Sequence, residues 1–333
     1  MGGNAFRRFQ LVGGVALGVV ALGVFLWSLD WAGLAAALSR VSVGWMCIAT
    51  LAMLADYAVQ GLRWRLLLRD AVPDLGLVTT WRATTVMWAG NTLLPLRAGL
   101  VLRALVVLRK HDVPFATVFS TLVAETVCDL VGVVGLLLLT IQVIPAELAH
   151  EGPLMRLRSI GSWAGAASLL LLGFVVLLSS PAARTAVDTA LLRLPNDSAR
   201  RWLLSSFDQV IAGMAVVRDP VRFLQALGLT ALVWFGWFLG IAATLRAFSL
   251  DVGAAGALFL ETALTLSMLV PQAPGFLGVF QVVTEEALGL FGAPESESEA
   301  VALLFWTVCF VPVTLLGAVD AWRSGLRPGA GAD

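Results

Sequence analysis

The sequence predicts an all-α polytopic membrane protein with about six spanning helices plus two broken, re-entrant helix pairs. Three observations predict it. Hydrophobic residues make up 59% of the 333-residue chain and charged residues 13%, with a mean hydropathy of +0.89, whereas soluble domains carry roughly 25% charge. Apolar runs of about 20 residues, the length needed to cross a bilayer, recur along the chain. Two such runs are interrupted at their centres by proline and glycine, at 95–99 and 271–278. Proline removes a backbone donor and clashes with the preceding turn. A break of that kind survives in a bilayer only where protein or a watery cavity satisfies the freed backbone.

The first span is expected over residues 11–29, anchored by Arg7 and Arg8; it is longer than the ~7–15-residue core of a signal peptide. The second covers 41–62 and ends in Arg63-Trp64-Arg65. The first broken pair occupies 77–108. A long helix follows over 114–144, with Pro114 suited to its first turn, and another span over 160–178. Residues 181–219 change in composition, with Arg184, Asp188, Arg193, Asp197, Arg200, Arg201 and Asp208 interleaved with apolar residues. They read as two amphipathic helices on the cytoplasmic membrane face, serving either as a connector or as a gate or docking surface. A span over 221–245 leads to the second broken run at 254–291. Glu295, Glu297 and Glu299 then form an acidic loop before a last helix over 300–322. The whole of 1–333 reads as one transmembrane domain.

Charge asymmetry orients these elements. Arg7 and Arg8, Arg63 to Arg69, Arg103 to Lys110, the arginines of 181–219, and Arg323 with Arg327 fall on one side if each broken run enters and leaves on the same face. Both termini are then cytoplasmic, in a cell membrane, and 295–299 is external. The two breaks open from opposite faces, as in an inverted-repeat transporter. Gly14–Gly18 and Gly236–Gly240 are small-xxx-small pairs, read as packing within one chain or as a homo-oligomer face.

Composition excludes several function classes. Net charge is zero, so no basic field points to nucleic acid. Cys47, Cys128 and Cys309 lie in apolar runs and read as small buried hydrophobes. His111 and His150 are far apart, without metal-ligand spacing. No nucleotide loop, His-based triad or metal cluster is present, so neither a cofactor nor an enzymatic activity is expected.

The informative polar residues cluster at the breaks. Asn91, Leu94-Pro95, Arg97, Gly99 and Arg103 sit within the first. Asn91 stands where the first half-helix ends, either capping freed backbone groups or touching a headgroup. Arg82, in the same run, either snorkels or faces the cavity. Glu125 and Asp129, four apart, share one face of an apolar helix. With Arg97 and Arg103 they form either a structural ion-pair cluster or a site whose arginines bind a lipid phosphate. Asp56 and Gln60 share a face of the second helix and are expected to pair with Arg63 or another buried cation. Glu261, Glu285 and Glu286 flank the second break and are weaker candidates. Half-helix N-termini at Gly99 and Gly275 would aim backbone donors at an anion.

Asn91-x-x-Leu94-Pro95-x-Arg97-x-Gly99-x-x-x-Arg103 resembles the central motif of the lysylphosphatidylglycerol synthase transmembrane-region family. Glu125-x-x-x-Asp129 is similar to its next acidic pair and Arg63-Trp64 to an earlier signature. Pro271-x-x-Pro274-Gly275-x-x-Gly278-Val279 resembles its C-terminal Pro-Gly loop. Leu100 and Thr126 stand where the family usually carries Glu and Arg, and Gln281 lies near a usual Glu. The resemblance implies a flippase-like membrane domain without an aminoacyl-transferase domain. Arg97, Arg103, Asn91, Glu125, Asp129, Arg63, Gly99, Pro271, Pro274, Gly275 and Gly278 are its candidate lipid-binding residues. Membrane lipids with phosphate-bearing headgroups are the expected partners, and a separate synthase recruited through 181–219 is a further one. A membrane subunit or enzyme of lipid-linked sugar or aminoacyl-lipid metabolism, or a non-transporting scaffold, is the alternative function.

Overall fold

A computed structural model describes residues 31–94, 98–144, 181–191, 219–268 and 274–324, with scattered positions between 166 and 208. The expected span at 11–29, most of that at 160–178, the motif residues Pro95, Arg97 and Pro271, most of 192–218 and both termini lie outside the described residues. The architecture is all-α. Among the described residues, four helices are long and apolar enough to cross a membrane: α2 (Val43–Leu68), α5 (Phe115–Val143), α7 (Pro220–Ala247) and α10 (Glu295–Arg323). Around them lie α1 (Trp31–Ser39), α3 (Leu77–Leu93), α4 (Gly99–Leu108), α6 (Pro181–Leu191), α8 (Gly253–Ser267) and α9 (Val279–Gly289). α6 falls within the segment expected to be amphipathic.

Each broken run folds as two helices that double back. In the first, α3 and α4 flank the break. Arg103 on α4 reaches back to Met87 and Thr84 on α3, while Gly99 lies against Gly90. Contacts that move outward in register from the break define an antiparallel hairpin. A Cβ on Gly90 would sit 2.7 Å from the Cα of Gly99, so two glycines make the approach possible. In the second, α8 and α9 pair in the same sense. Phe259 meets Phe291 with ring centroids 5.7 Å apart, and Gly256 lies beside the same ring.

Contacts between helices fix the ends at which these hairpins open. α2 and α7 are antiparallel: Met53 lies against Gly240, Asp56 against Gly236, Arg63 on Thr230, and Asp70 on Arg222. Gly236–Gly240 thus serves packing within the chain. α3 runs antiparallel to α10, with Arg82 and Thr85 at Asp320 and Ala89 at Gly317. The first hairpin therefore opens at the end holding Arg65, Arg69, Arg109, Lys110, Arg222 and Arg323. The second opens at the other end, near Glu295, Glu297 and Glu299. Their tips meet: Gly275 lies beside the carbonyl of Thr92, Trp306 Nε1 donates to the Gly275 carbonyl at 2.6 Å, and Phe276 stacks on Phe310 at 5.3 Å. One freed carbonyl at the second break, that of Gly275, is thus satisfied by a neighbouring helix.

Helix boundaries differ from expectation for physical reasons. α2 runs through Arg63-Trp64-Arg65 to Leu68, because the Arg63 charge is neutralised by neighbours and Trp64 is fully buried. Pro114 is the N-cap of α5 rather than part of its first turn. Asp219 caps α7, its Oδ1 accepting from the N–H groups of Val221 and Arg222. Glu295, Glu297 and Glu299 form no loop. They open α10, where acidic side chains favour the positive end of the helix macrodipole. At the second break the helix begins at Val279, capped at Gly278, while Gly275 belongs to the 3₁₀ turn Pro274–Phe276. The expected half-helix N-terminus is therefore four residues later than Gly275.

The core between α2, α7, α8, α9 and α10 is aromatic, with Phe280 and Phe305 at 5.8 Å and Trp237 edge-on to Phe305. α10 reaches α3 closely only because residue 317 is glycine; a Cβ there would lie 2.1 Å from the Thr85 carbonyl oxygen and 2.6 Å from Ala89 Cβ. Gly317→Ala should therefore lower the thermal midpoint in detergent, at a cost of ~1–3 kcal/mol typical of overpacking. An unchanged midpoint would show that α10 can shift without loss.

Candidate functional site

The first hairpin is tied to the bundle by a buried charge cluster. Arg63 on α2 donates to Glu125 at 2.9 Å and to Asp129 at 2.5 Å on α5, and to Thr230 on α7 at 2.9 Å. Arg103 on α4 donates to the other Glu125 oxygen at 2.5 Å. Its guanidinium also lies 4.3 Å from the centroid of the Trp64 ring, whose Nε1 donates to Thr121. Glu125 is thus held by two arginines from two helices, and its one-turn spacing from Asp129 lets Arg63 reach both carboxylates. Two cations and two carboxylates make the cluster neutral. That satisfies the requirement that charges inside a membrane pair with one another.

Exposure separates its members. The side chains of Arg63, Arg103 and Glu125 are at most 7% exposed, whereas that of Asp129 is 40% exposed. Asp129 is the edge at which the cluster can be opened without burying an unpaired charge.

A second polar line runs towards the hairpin tip. Trp88 Nε1 donates to Gln60 Oε1 at 2.9 Å, and Gln60 Nε2 donates to Asp56 Oδ2 at 2.7 Å. Asp56 therefore hydrogen-bonds with Gln60, while Arg63 is committed to the α5 carboxylates. At the tip, Asn91 Oδ1 is buried without a hydrogen-bond partner and lies against Gly99, whose added Cβ would be 2.6 Å away. Asn91 thus leaves a buried acceptor open beside the break. Arg82 faces Asp320 at 3.5 Å, and Thr85 donates to the same carboxylate.

The structure brings Arg63, Arg103, Glu125 and Asp129 together and sets Asn91 and Gly99 at the hairpin tip. Gly275 lies opposite that tip, beside Thr92, and Gly278 caps the next helix, its N–H donating to Gln281 Oε1 at 2.8 Å. Arg97 and Pro271 lie outside the described residues, as does the side chain of Pro274. The linking role of Arg63 between α2 and both acidic residues is the main geometric feature that reading the sequence did not supply. Among the described residues no group of three or more His, Cys, Asp or Glu side chains could hold a metal ion.

Comparison with known proteins agrees with this architecture. The family described as Lysylphosphatidylglycerol synthase TM region matches residues 11–317. The chain is 24% identical over 347 residues to a protein named Glycosyltransferase AglD from Haloferax volcanii, an alignment covering 96% of this chain and 55% of that relative. The chain therefore spans about half the length of that curated relative. No solved structure matches. With the family matched over most of its length, this chain belongs to the lysylphosphatidylglycerol synthase TM region family, as a multi-pass membrane protein.

Proposed function

We propose that the protein moves a lipid headgroup between leaflets along the polar path where the two hairpin tips meet. The observation that carries this reading is the arrangement of the breaks. Two helix hairpins open at opposite ends of the bundle, and their tips touch at Thr92 and Gly275. Broken helices that meet near the middle of a membrane are the form in which transporters build substrate sites. The open acceptor of Asn91 lies at that meeting point. Arg97, two residues before Gly99 in the motif, supplies the cation for a phosphate, and a planar guanidinium fits phosphate with two parallel hydrogen bonds. Arg103, engaged by Glu125, holds the hairpin in place. The excess of arginine at one end favours a cytoplasmic position for that end in this reading.

Reconstitution into liposomes with a fluorescent phospholipid tests this reading. Wild type should give exchange between leaflets, and Arg97→Lys should reduce it although charge is kept, because an ammonium cannot make the forked contact. Folded protein that exchanges no phospholipid would overturn the proposal. The name of the Haloferax relative favours a second reading, a membrane part of lipid-linked sugar metabolism. A deletion strain lacking a modified lipid species, with leaflet distributions unchanged, would support that reading instead.

A further inference from the structure

Glu261 on α8 is 1% exposed, and neither of its carboxyl oxygens has a hydrogen-bond partner. Buried polar groups almost always find partners, and an exception of this kind points to a role in function. The side chain lines a cavity of about 550 Å³ between α5, α7 and α8, a size within the range of small-molecule sites, roughly 300–1,000 Å³. The remaining wall is mainly apolar, including Leu136, Leu227, Phe235 and Phe238. Trp234 lines it too, and its buried indole Nε1 likewise has no partner. Phe235, midway along apolar α7, is 54% exposed, and Leu139, near the C-terminal end of α5, is 50% exposed, so the cavity opens sideways between α5 and α7, where acyl chains lie.

We propose that this cavity binds a neutral lipid bearing a free hydroxyl, with its apolar chain between α5 and α7 and its hydroxyl on Glu261. The two unpartnered groups select the chemistry. An indole N–H needs an acceptor and a carboxyl oxygen needs a donor; a hydroxyl is both. An ammonium only donates and would leave the indole open. A phosphate would bring negative charge to a carboxyl that no cation among the described residues faces. The cavity also differs in chemistry from the arginine cluster, which it touches through Thr230: that residue lines the cavity while its hydroxyl accepts from Arg63. The proposal stands apart from lipid translocation and holds whether or not phospholipid crosses the bilayer.

Gly135 provides a way to close the cavity. It lines the wall, and a Cβ added there meets nothing within 4 Å, so Gly135→Phe fills the space without moving the backbone. The test is native mass spectrometry of the purified full chain with dioleoylglycerol, using dioleoyl phosphatidate as comparator. Wild type should retain dioleoylglycerol. Glu261→Leu and Gly135→Phe should each lower its retention about tenfold or more, as expected when a buried polar contact or the binding volume is lost. Neither change should alter retention of phosphatidate. Glu261→Leu removes a buried unpartnered carboxyl, so its thermal midpoint should be no lower than wild type, which separates lost binding from misfolding. Unchanged retention in both variants would overturn the proposal. So would loss in Gly135→Phe alone, because the cavity would then be an acyl slot indifferent to the hydroxyl.

Discussion

Glu125→Leu is expected to be the most destabilising single substitution in the charge cluster. It takes a carboxylate from two buried arginines at once: Arg103 loses its partner at 2.5 Å, and Arg63 is left with the Asp129 carboxylate alone. Removing one partner of a buried ion pair costs ~3–5 kcal/mol, chiefly because the remaining charge stays dehydrated and unpaired. The same physics predicts rescue. In Glu125→Leu/Arg103→Leu one positive and one negative charge are gone, Arg63 and Asp129 remain paired, and most of the lost stability should return. Asp129→Asn should be milder than either, since the Asp129 side chain is 40% exposed and water can replace part of what is lost. Thermal unfolding in detergent checks the ranking. A double variant as unstable as Glu125→Leu alone would show that the side chain, not its charge, holds the helices together. The rescued double variant also separates structure from transport. If it folds but exchanges lipid slowly, the ordered position of the hairpin is needed for more than stability.

The sequence made the breaks legible because their signals are local. Proline and glycine at 95–99 and 274–278 act on the backbone wherever they occur, and the structure places helix ends on both sides of each. The shared face of Glu125 and Asp129 was equally readable, being a matter of helical period. Which arginine meets them was not. Arg63 and Arg103 lie on different helices, and their convergence depends on how α2, α4 and α5 approach one another. The same tertiary neutralisation explains why α2 continues through Arg63 although charge alone argued for a helix end there. Glu295, Glu297 and Glu299 looked like a loop for a similar reason: charge density says polar, and only the helix they open says that it is a first turn. Glu261 stood in the sequence as one acidic residue among several near the second break. Its isolation is a fact about neighbours, which no spacing rule contains.

Gly99→Leu should have the second large effect, through the geometry of the first hairpin rather than its charges. A Cβ at Gly99 would lie 1.9 Å from the Met87 carbonyl oxygen and 2.9 Å from the Asn91 backbone nitrogen, both fixed atoms of α3. Even alanine requires α4 to move away from α3, and leucine requires more; overpacking of this kind costs ~1–3 kcal/mol before any other loss. The displacement has a further consequence. Arg103 lies four residues along the same short helix, so moving α4 draws its guanidinium from Glu125 and exposes the cluster to the imbalance described above. Gly99→Leu and Arg103→Leu should therefore be non-additive. On the background of Glu125→Leu/Arg103→Leu, where the Arg103–Glu125 pair is gone, Gly99→Leu should cost only its steric share. A double-mutant cycle on thermal stability reads the difference as a coupling energy, expected within the ~0.5–3 kcal/mol range seen for residues that share a network. A coupling near zero would mean that α4 can shift while Arg103 keeps its hold on Glu125. In that case the hairpin tip, with Asn91 beside it, would be free to move independently of the cluster.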